Sequence, residues 1–300
     1  MMKYLEEIYN LAKGEPLNLA VVAAEDEAIL RAVIQATEDE LIKPILVGDE
    51  KIIKDILKSL NYEKEISILP ASSQEEGAQL VMKKAALGEV DFLMKGLLDT
   101  SIILKALLNK EYGLRDKKVL SHMMLYEMNS YPKLLGLSDG GMNLAPSYEE
   151  KKAILENGIE LFKALDYKVI KVAALAAKEK VSDKMPATLD ARRLQEEVKE
   201  EGVIVEGPLA LDLVFSKEAA EIKNFSTKIA GDVDFILVPT IETGNALGKS
   251  FSHVGGAKSA GVIMGAKLPL VLVSRADSFQ AKLYSIALGK VIAKYRKEGR

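Results

Sequence analysis

The stretch Leu270-Val271-Leu272-Val273-Ser274-Arg275-Ala276-Asp277-Ser278 decides how the rest of the chain is read. Four apolar residues behind Pro269 read as a buried strand, and a polar turn ends it. From about Phe279, apolar Leu283, Ile286, Ala287 and Val291 repeat at helical spacing. A buried strand running into a helix is the repeating unit of a parallel α/β sheet, where strand carboxyl ends and helix starts form the usual ligand edge. Ser274 and Arg275 fall on that edge, a hydroxyl beside a guanidinium, facing the unsatisfied amides of a helix start. Such a place suits a phosphoryl or acyl-phosphate oxygen. The same residues also fit a plain strand-to-helix loop, with Asp277 or Ser278 as N-cap and Arg275 in water.

Working outward, the same alternation fills the first third of the chain. After an amphipathic helix at 3–13, with Leu5, Ile8, Tyr9 and Leu11 on one side, strands are expected at Leu17–Ala23, Pro44–Val47, Ile66–Leu69 and Asp91–Met94. Helices are expected between and after them, at Glu25–Thr37, Lys51–Leu60, Ser73–Leu87 and about Asp99–Leu108. This order predicts a doubly wound, parallel sheet. Past the turn Glu111-Tyr112-Gly113 the pattern changes. Val119–Tyr126 and Lys133–Leu137 are apolar segments with no helix between them, readable as a hairpin or as neighbouring strands. Ser147 and Glu150 match a capping box that opens a helix to about Leu165. A strand at Lys168–Ala176, a mobile loop at Lys178–Pro186, a helix at Leu189–Lys199 and short strands at Val203–Val205 and Asp234–Val238 complete a second α/β domain. The expected division is 1–114 plus 256–300 for one domain and 115–255 for the other, with the last strand and helix returning to the first sheet.

The totals narrow the functional classes. Three hundred residues, 48% hydrophobic and 28% charged, suit two buried cores. A net charge of −3 offers no basic surface for nucleic acid or an anionic membrane. Without cysteine there is no disulfide, thiolate metal site or catalytic thiol. No apolar stretch reaches membrane-spanning length, and Met1 to Gly14 lacks a signal-peptide core, so a cytoplasmic protein is expected. The two histidines, His122 and His253, have no partner at ligand spacing, and no metal site is expected. No GxGxxG fingerprint opens a helix and no GxSxG elbow is present, which counts against dinucleotide binding and α/β-hydrolase chemistry.

Four loops after expected strands are rich in small polar residues: Lys95–Ser101, Asp139–Asn143, Thr240–Ser250 and Ser274–Ser278. In Lys95-Gly96-Leu97-Leu98-Asp99-Thr100-Ser101, hydroxyls cluster at a helix start, an arrangement that favours an anion; Lys105 lies one turn further on. A plain N-cap by Asp99 is the alternative. The run Gly244-Asn245-Ala246-Leu247-Gly248-Lys249-Ser250 resembles a phosphate-binding P-loop but has three residues between its glycines where four are needed. In a looser reading, Thr243 and Gly244 lead a helix start from which Asn245 donates to a ligand.

These loops together resemble the phosphate acetyl/butyryltransferase family, most closely its butyryltransferase branch. The resemblance is carried by Met94-Lys-Gly-Leu-Leu-Asp-Thr-Ser101, Ser138-Asp-Gly-Gly-Met-Asn143, Val238-Pro-Thr-Ile-Glu-Thr-Gly-Asn245 and Lys258-Ser-Ala-Gly-Val-Ile-Met-Gly265, and above all by Ser274-Arg-Ala-Asp-Ser278 with Lys282-Leu-Tyr-Ser-Ile-Ala-Leu-Gly289. It implies two α/β domains of the isocitrate/isopropylmalate-dehydrogenase-like type with an interdomain cleft. It also implies reversible acyl transfer between coenzyme A, as a substrate, and inorganic phosphate, with no cofactor. Butyryl or branched chains, acetyl, or a non-catalytic acyl-coenzyme A sensor remain open. Ser274 and Arg275 match the family's pair at the reacting acyl group and phosphate. Thr100 and Ser101 match phosphate-site hydroxyls, and Lys105 stands where acetyl-specific relatives carry a coenzyme A-binding arginine. Lys95, Gly96, Thr243, Gly244 and Asn245 complete the expected binding set. Those relatives also place an aspartate, the proposed base, seven residues after the serine, where this chain has Ala281, leaving Asp277 as the substitute. Tyr284 and its apolar neighbours on the last helix suggest a homodimer or larger homo-oligomer.

Overall fold

The structure is a computed structural model that describes every residue except Lys118, Arg275, Ala276 and Arg300. Backbone packing divides the chain into two compact units: Leu5–Lys117 with Ala260–Arg300, and Met1–Tyr4 with Lys118–Ser259.

The first unit opens with α1 (Leu5–Leu11), whose buried face is Leu5, Ile8 and Tyr9, followed by Ala12. Leu11, expected on that face, is 41% exposed, because the 3.6-residue repeat that begins at Leu5 reaches Ala12 instead. There follow β1 (Leu17–Val22), α2 (Glu27–Glu38), β2 (Ile42–Gly48), α3 (Glu50–Ser59), β3 (Ser67–Pro70), α4 (Gln74–Ala86), β4 (Phe92–Lys95) and α5 (Thr100–Leu107). The helices α2, α3 and α4 turn apolar stripes to the sheet, and α5 packs against α4. Ile29, Leu30, Ala32, Val33 and Ala36 of α2 are all buried, each larger side chain contributing about 1.5–3 kcal/mol. β1 pairs in parallel with β2 on one side and with β4 on the other, and β2 with β3. The strand order therefore reverses between β1 and β4, which makes that point the sheet's topological switch.

The second unit contains β5 (Ser121–Glu127), β6 (Leu135–Ser138), α6 (Tyr148–Ala164), β7 (Ile170–Leu175), α7 (Pro186–Glu197), β8 (Val203–Leu209), α8 (Leu211–Phe215), α9 (Lys217–Ile222), β9 (Phe235–Leu237) and α10 (Ile241–His253). The strands run in the order β5-β6-β9-β7-β8. β5 and β6 are an antiparallel pair, Leu125 opposite Gly136, and the remaining pairings are parallel. The capping box at Ser147 and Glu150 is present. The polar loop before α7 is tied by Thr188, fully buried, whose hydroxyl accepts from the Ser182 amide at 2.9 Å and donates to the Met185 carbonyl at 2.7 Å. At the amino end of the sheet, the buried Lys133 ammonium lies 2.6 Å from both Asp232 and Asp234. Asp234 also accepts the Lys171 amide at 2.8 Å, so this one carboxylate ties β7 to the start of β9. Burial pushes the Asp234 carboxyl above its usual range, with Lys133 opposing the shift.

Three features depart from the expected layout. β8 runs on through Gly207 and Pro208; it lies at the edge of its sheet, where a missing N–H is tolerated. α8 and α9 fill a stretch without strong periodicity, and they bury Leu213, Val214 and Ala220. Finally, β10 (Lys258–Met264) precedes β11 (Leu270–Val271) and pairs with it antiparallel, Val262 opposite Val271. The sheet of the first unit is therefore mixed at that side, beyond a parallel pairing of β11 with β4. α11 (Phe279–Lys297) closes the chain and packs over β4 and β11.

Candidate active site

β4 and β11 are neighbours, with Leu270 opposite Leu93 and Val271 opposite Met94. Both point their carboxyl ends the same way, so the loops Lys95–Ser101 and Ser274–Ser278 leave one edge of one sheet side by side. On its other flank β4 borders β1, Val22 opposite Lys95, which puts the first of these loops at the switch point. Two sequence motifs about 180 residues apart are thus brought together by strand order.

The Lys95 side chain is buried, and its ammonium lies 3.4 Å from the Gly96 carbonyl oxygen. Gly96 is required by backbone crossing: a Cβ there would fall on the Ala23 carbonyl oxygen, and the Gly96 and Leu97 amides donate to Val22 and Ala23 at 2.8 and 2.6 Å. Its role is to bring this loop against the end of β1. Asp99 occupies the N-cap position of α5 without accepting from the helix through its side chain. The other helices of this unit from α2 onward use theirs: Asp26 accepts from Ile29, Asp49 from Lys51 and Ile52, Ser73 from Glu76, and Ser278 from Ala281. The alternative of a plain Asp99 cap is therefore not what the helix start presents. Thr100 is half-buried, while Ser101 and Lys105 are exposed.

Ser274 is exposed at the end of the β11 segment. Its backbone is held twice by Asp277: the Ser274 amide donates to the Asp277 carboxylate at 2.6 Å, and the Asp277 amide donates to the Ser274 carbonyl at 3.1 Å. Ser278, not Asp277, caps α11. Arg275 lies outside the described residues. Behind the turn, Lys282 of α11 is 1% exposed, and its ammonium donates to the Asp277 carbonyl at 2.5 Å.

In the second unit, the loops after β6 and β9 are likewise neighbours, since Ser138 lies opposite Leu237. The buried Asp139 carboxylate organises the first, accepting from the amides of His122, Gly141 and Met142 at 3.0, 2.7 and 2.9 Å and from the Asn143 amide group at 2.6 Å. The Ser138–Asp139 peptide is cis. The stretch that resembles a P-loop lies inside α10. Gly244 is a contact residue: a Cβ there would stand 2.6 Å from the Asp139 carbonyl oxygen and 2.7 Å from the Gly140 Cα. Gly248 gives the same close approach under the Tyr126 hydroxyl. The helix starts at Ile241, so Thr243 and Gly244 lie within its first turn rather than leading it, and the Asn245 side-chain Nδ2 already donates to the Gly140 carbonyl at 3.1 Å. At that start, backbone amide contact and the Thr240 hydroxyl hold the Glu242 carboxyl below its usual range.

Sequence reasoning passed over Asp139 and Lys282 as individual residues. The Asp-Gly-Gly run signals a side-chain-bridged turn around Asp139. Lys282, at a position of the helical repeat adjoining Leu283 and Ile286, carried no signal, because a lysine in an amphipathic helix reads as solvated. Among the described residues, no three His, Asp or Glu side chains are grouped as metal ligands, and no helix is long and apolar enough to cross a membrane.

Residues 75–289 match the model of the phosphate acetyl/butaryl transferase family. A probable phosphate butyryltransferase of Bacillus subtilis is 43% identical over 90% of this chain and 91% of its own. A phosphate acetyltransferase of Thermotoga maritima is 37% identical over 97% and 100%. Among solved structures, a branched-chain phosphotransacylase from Enterococcus faecalis superposes with a TM-score of 0.80 at 31% identity, over 92% of this chain and 99% of that one. Fold and motifs define an acyltransferase, and the chain belongs to the phosphate acetyl/butaryl transferase family.

Proposed function

We propose that the chain transfers an acyl group reversibly between coenzyme A and inorganic phosphate, with butyryl or a similar short or branched acyl chain as the natural group. The adjacency of the Lys95–Ser101 and Ser274–Ser278 loops on neighbouring strands supports this reading, together with an α5 start at which the Asp99 side chain accepts no helix amide, its carbonyl taking only the Ile102 amide at 3.1 Å. In the direction of acyl-coenzyme A formation, the thiolate attacks the carbonyl carbon of the acyl phosphate. The carbon–sulfur bond forms, the carbon–oxygen bond to phosphorus breaks, and phosphate leaves with the electron pair. Arg275 grips the phosphate with two parallel N–H contacts, and Ser274 donates to the oxygen or sulfur on which charge develops. Thr100, Ser101 and the first amides of α5 receive phosphate oxygens, and buried Lys95 adds positive charge behind them. Lys105 is a coenzyme A contact, Thr243 offers a further hydroxyl to the substrates, and the α10 residues Gly244 and Asn245 act by seating the loop after β6. With no cysteine in the chain, direct transfer in a ternary complex is favoured over a thioester-linked enzyme, and orientation of the two substrates then supplies much of the rate.

A cytoplasmic location and a homo-oligomeric state belong to the same proposal. Tyr284, on which the second of these rested, is engaged within its own unit, with Glu6 at 3.1 Å and edge-on to the Tyr9 ring.

The test is a thiol-release assay with phosphate and, in parallel, butyryl-, isobutyryl- and acetyl-coenzyme A. Highest kcat/KM with butyryl- or isobutyryl-coenzyme A is expected, since each methylene in an apolar pocket is worth about 1–3 kcal/mol. Preference for the acetyl group would reassign the acyl specificity, and no thiol release with any of the three would leave a binding protein. Arg275→Ala should lower kcat at least about 100-fold with an unchanged circular dichroism spectrum.

A further inference from the structure

Lys282 is a buried ammonium that packing alone does not call for. A lysine on a helix ordinarily runs its stem along apolar surface and releases its charge to water. Here the side chain is 1% exposed, and its ammonium meets the neutral Asp277 carbonyl at 2.5 Å. Among the described residues no carboxylate pairs with it. Burying a cation without a counter-charge is costly, and a methionine or leucine of similar reach would fill the same space more cheaply. The cost falls at one place, the residue that holds Ser274 from both sides.

Resting on the reading of Ser274 given above, we propose that Lys282 is the positioning residue of the Ser274 turn. Three links connect them. The ammonium fixes the Asp277 carbonyl, the Asp277 carboxylate fixes the Ser274 amide at 2.6 Å, and the Asp277 amide fixes the Ser274 carbonyl at 3.1 Å. Ser278 anchors the far end of the brace, accepting the Ala281 amide at 3.1 Å while its carbonyl takes the Lys282 amide at 3.1 Å. Lys282 thus ties the turn to the first turn of α11, a helix that packs on β4 and β11 around Gly289. A misplacement on the order of 1 Å at a reacting group costs about 100-fold in rate, which is the scale at which such a brace matters.

The experiment uses the full chain and steady-state rates with butyryl-coenzyme A and phosphate. Lys282→Met and Lys282→Gln are each made in the native background and in Ser274→Ala. Lys282→Met should lower kcat about 10- to 100-fold while both KM values stay within about threefold. Lys282→Gln, which keeps an N–H for the Asp277 carbonyl, should recover a large part of the loss. In the Ser274→Ala background, Lys282→Met should change the residual rate less than about twofold, because its target is already gone. Circular dichroism and gel filtration verify folding. Should Lys282→Met not fold, Lys282→Gln carries the same cycle, with a partial loss in the native background and none in Ser274→Ala. Equal losses in both backgrounds, or a native-background kcat within twofold of normal, overturn the role of Lys282 while leaving Ser274 in place. Full activity in Ser274→Ala overturns the site reading and this proposal with it.

Discussion

At the turn after β11, Asp277 and Ser278 look interchangeable as helix caps, yet the structure divides the work between them. Ser278 accepts from α11, and Asp277 faces backward to the Ser274 amide. This bears on the missing base at Ala281. A carboxylate whose oxygen receives a backbone N–H at 2.6 Å is engaged as an acceptor, and an amide side chain can take over that task through its own carbonyl. Asp277→Asn should therefore keep kcat within about threefold and leave the pH profile unchanged, whereas Asp277→Ala should lose about tenfold or more. A drop near 100-fold in the asparagine variant, with one limb of the pH profile gone, would make Asp277 the base. Ser274 and Arg275 were legible as a pair because a hydroxyl beside a guanidinium after an apolar run is a local pattern. Lys282 was not, since burial is a property of what packs against a residue.

Among the elements, α10 separates look-alike from function most clearly. Its glycines suggested a phosphate loop and instead let the helix lie against the Asp139–Gly140 backbone. Two effects of opposite sign meet in Gly244→Ala. Alanine favours the helix by about 1 kcal/mol. Its Cβ would stand 2.6 and 2.7 Å from backbone atoms that cannot swing aside, an overpacking that costs about 1–3 kcal/mol. The clash should win, so the melting temperature should fall and the Asn245–Gly140 contact should be lost with it. A variant more stable than the parent in a thermal melt would show that the helix shifts freely. The strands β1 to β4 were readable because each contains a short apolar run, Leu19–Val22, Ile45–Val47, Ile68-Leu69 and Phe92–Met94, with polar or turn residues nearby. β10 was missed because Lys258-Ser-Ala-Gly opens it with charge and small residues, and its antiparallel partner lies beyond a turn. β8 was cut short at Gly207-Pro208 because edge position, which excuses a proline, is decided by strand order.

For the molecule as a whole, α11 carries a second buried lysine whose effect is on stability. Lys290 is 1% exposed, with its ammonium 3.2 Å from the Gly14 carbonyl. Burial, reinforced by nearby Lys294, lowers its pKa to about 8. Unfolded, it returns to about 10.4, so between those values the unfolded chain holds the extra proton and stability rises with pH. Below pH 8 both states are protonated and the full desolvation cost remains. Lys290→Met should accordingly be more stable than the parent at pH 7, by about 1–3 kcal/mol in urea unfolding, with the gap narrowing toward pH 10. A gap that does not change with pH would show that Lys290 keeps its proton in the folded state. By itself the sequence determined the strand-and-helix alternation, the capping box at Ser147 and the loops where polar residues gather, because periodicity and capping act between residues a few positions apart. Only the tertiary structure decided that β4 lies between β1 and β11, that Gly96 and Gly244 serve backbone contact, and that Lys282 stands buried behind Ser274. Those outcomes depend on which distant segments share an edge, and no local pattern carries that information.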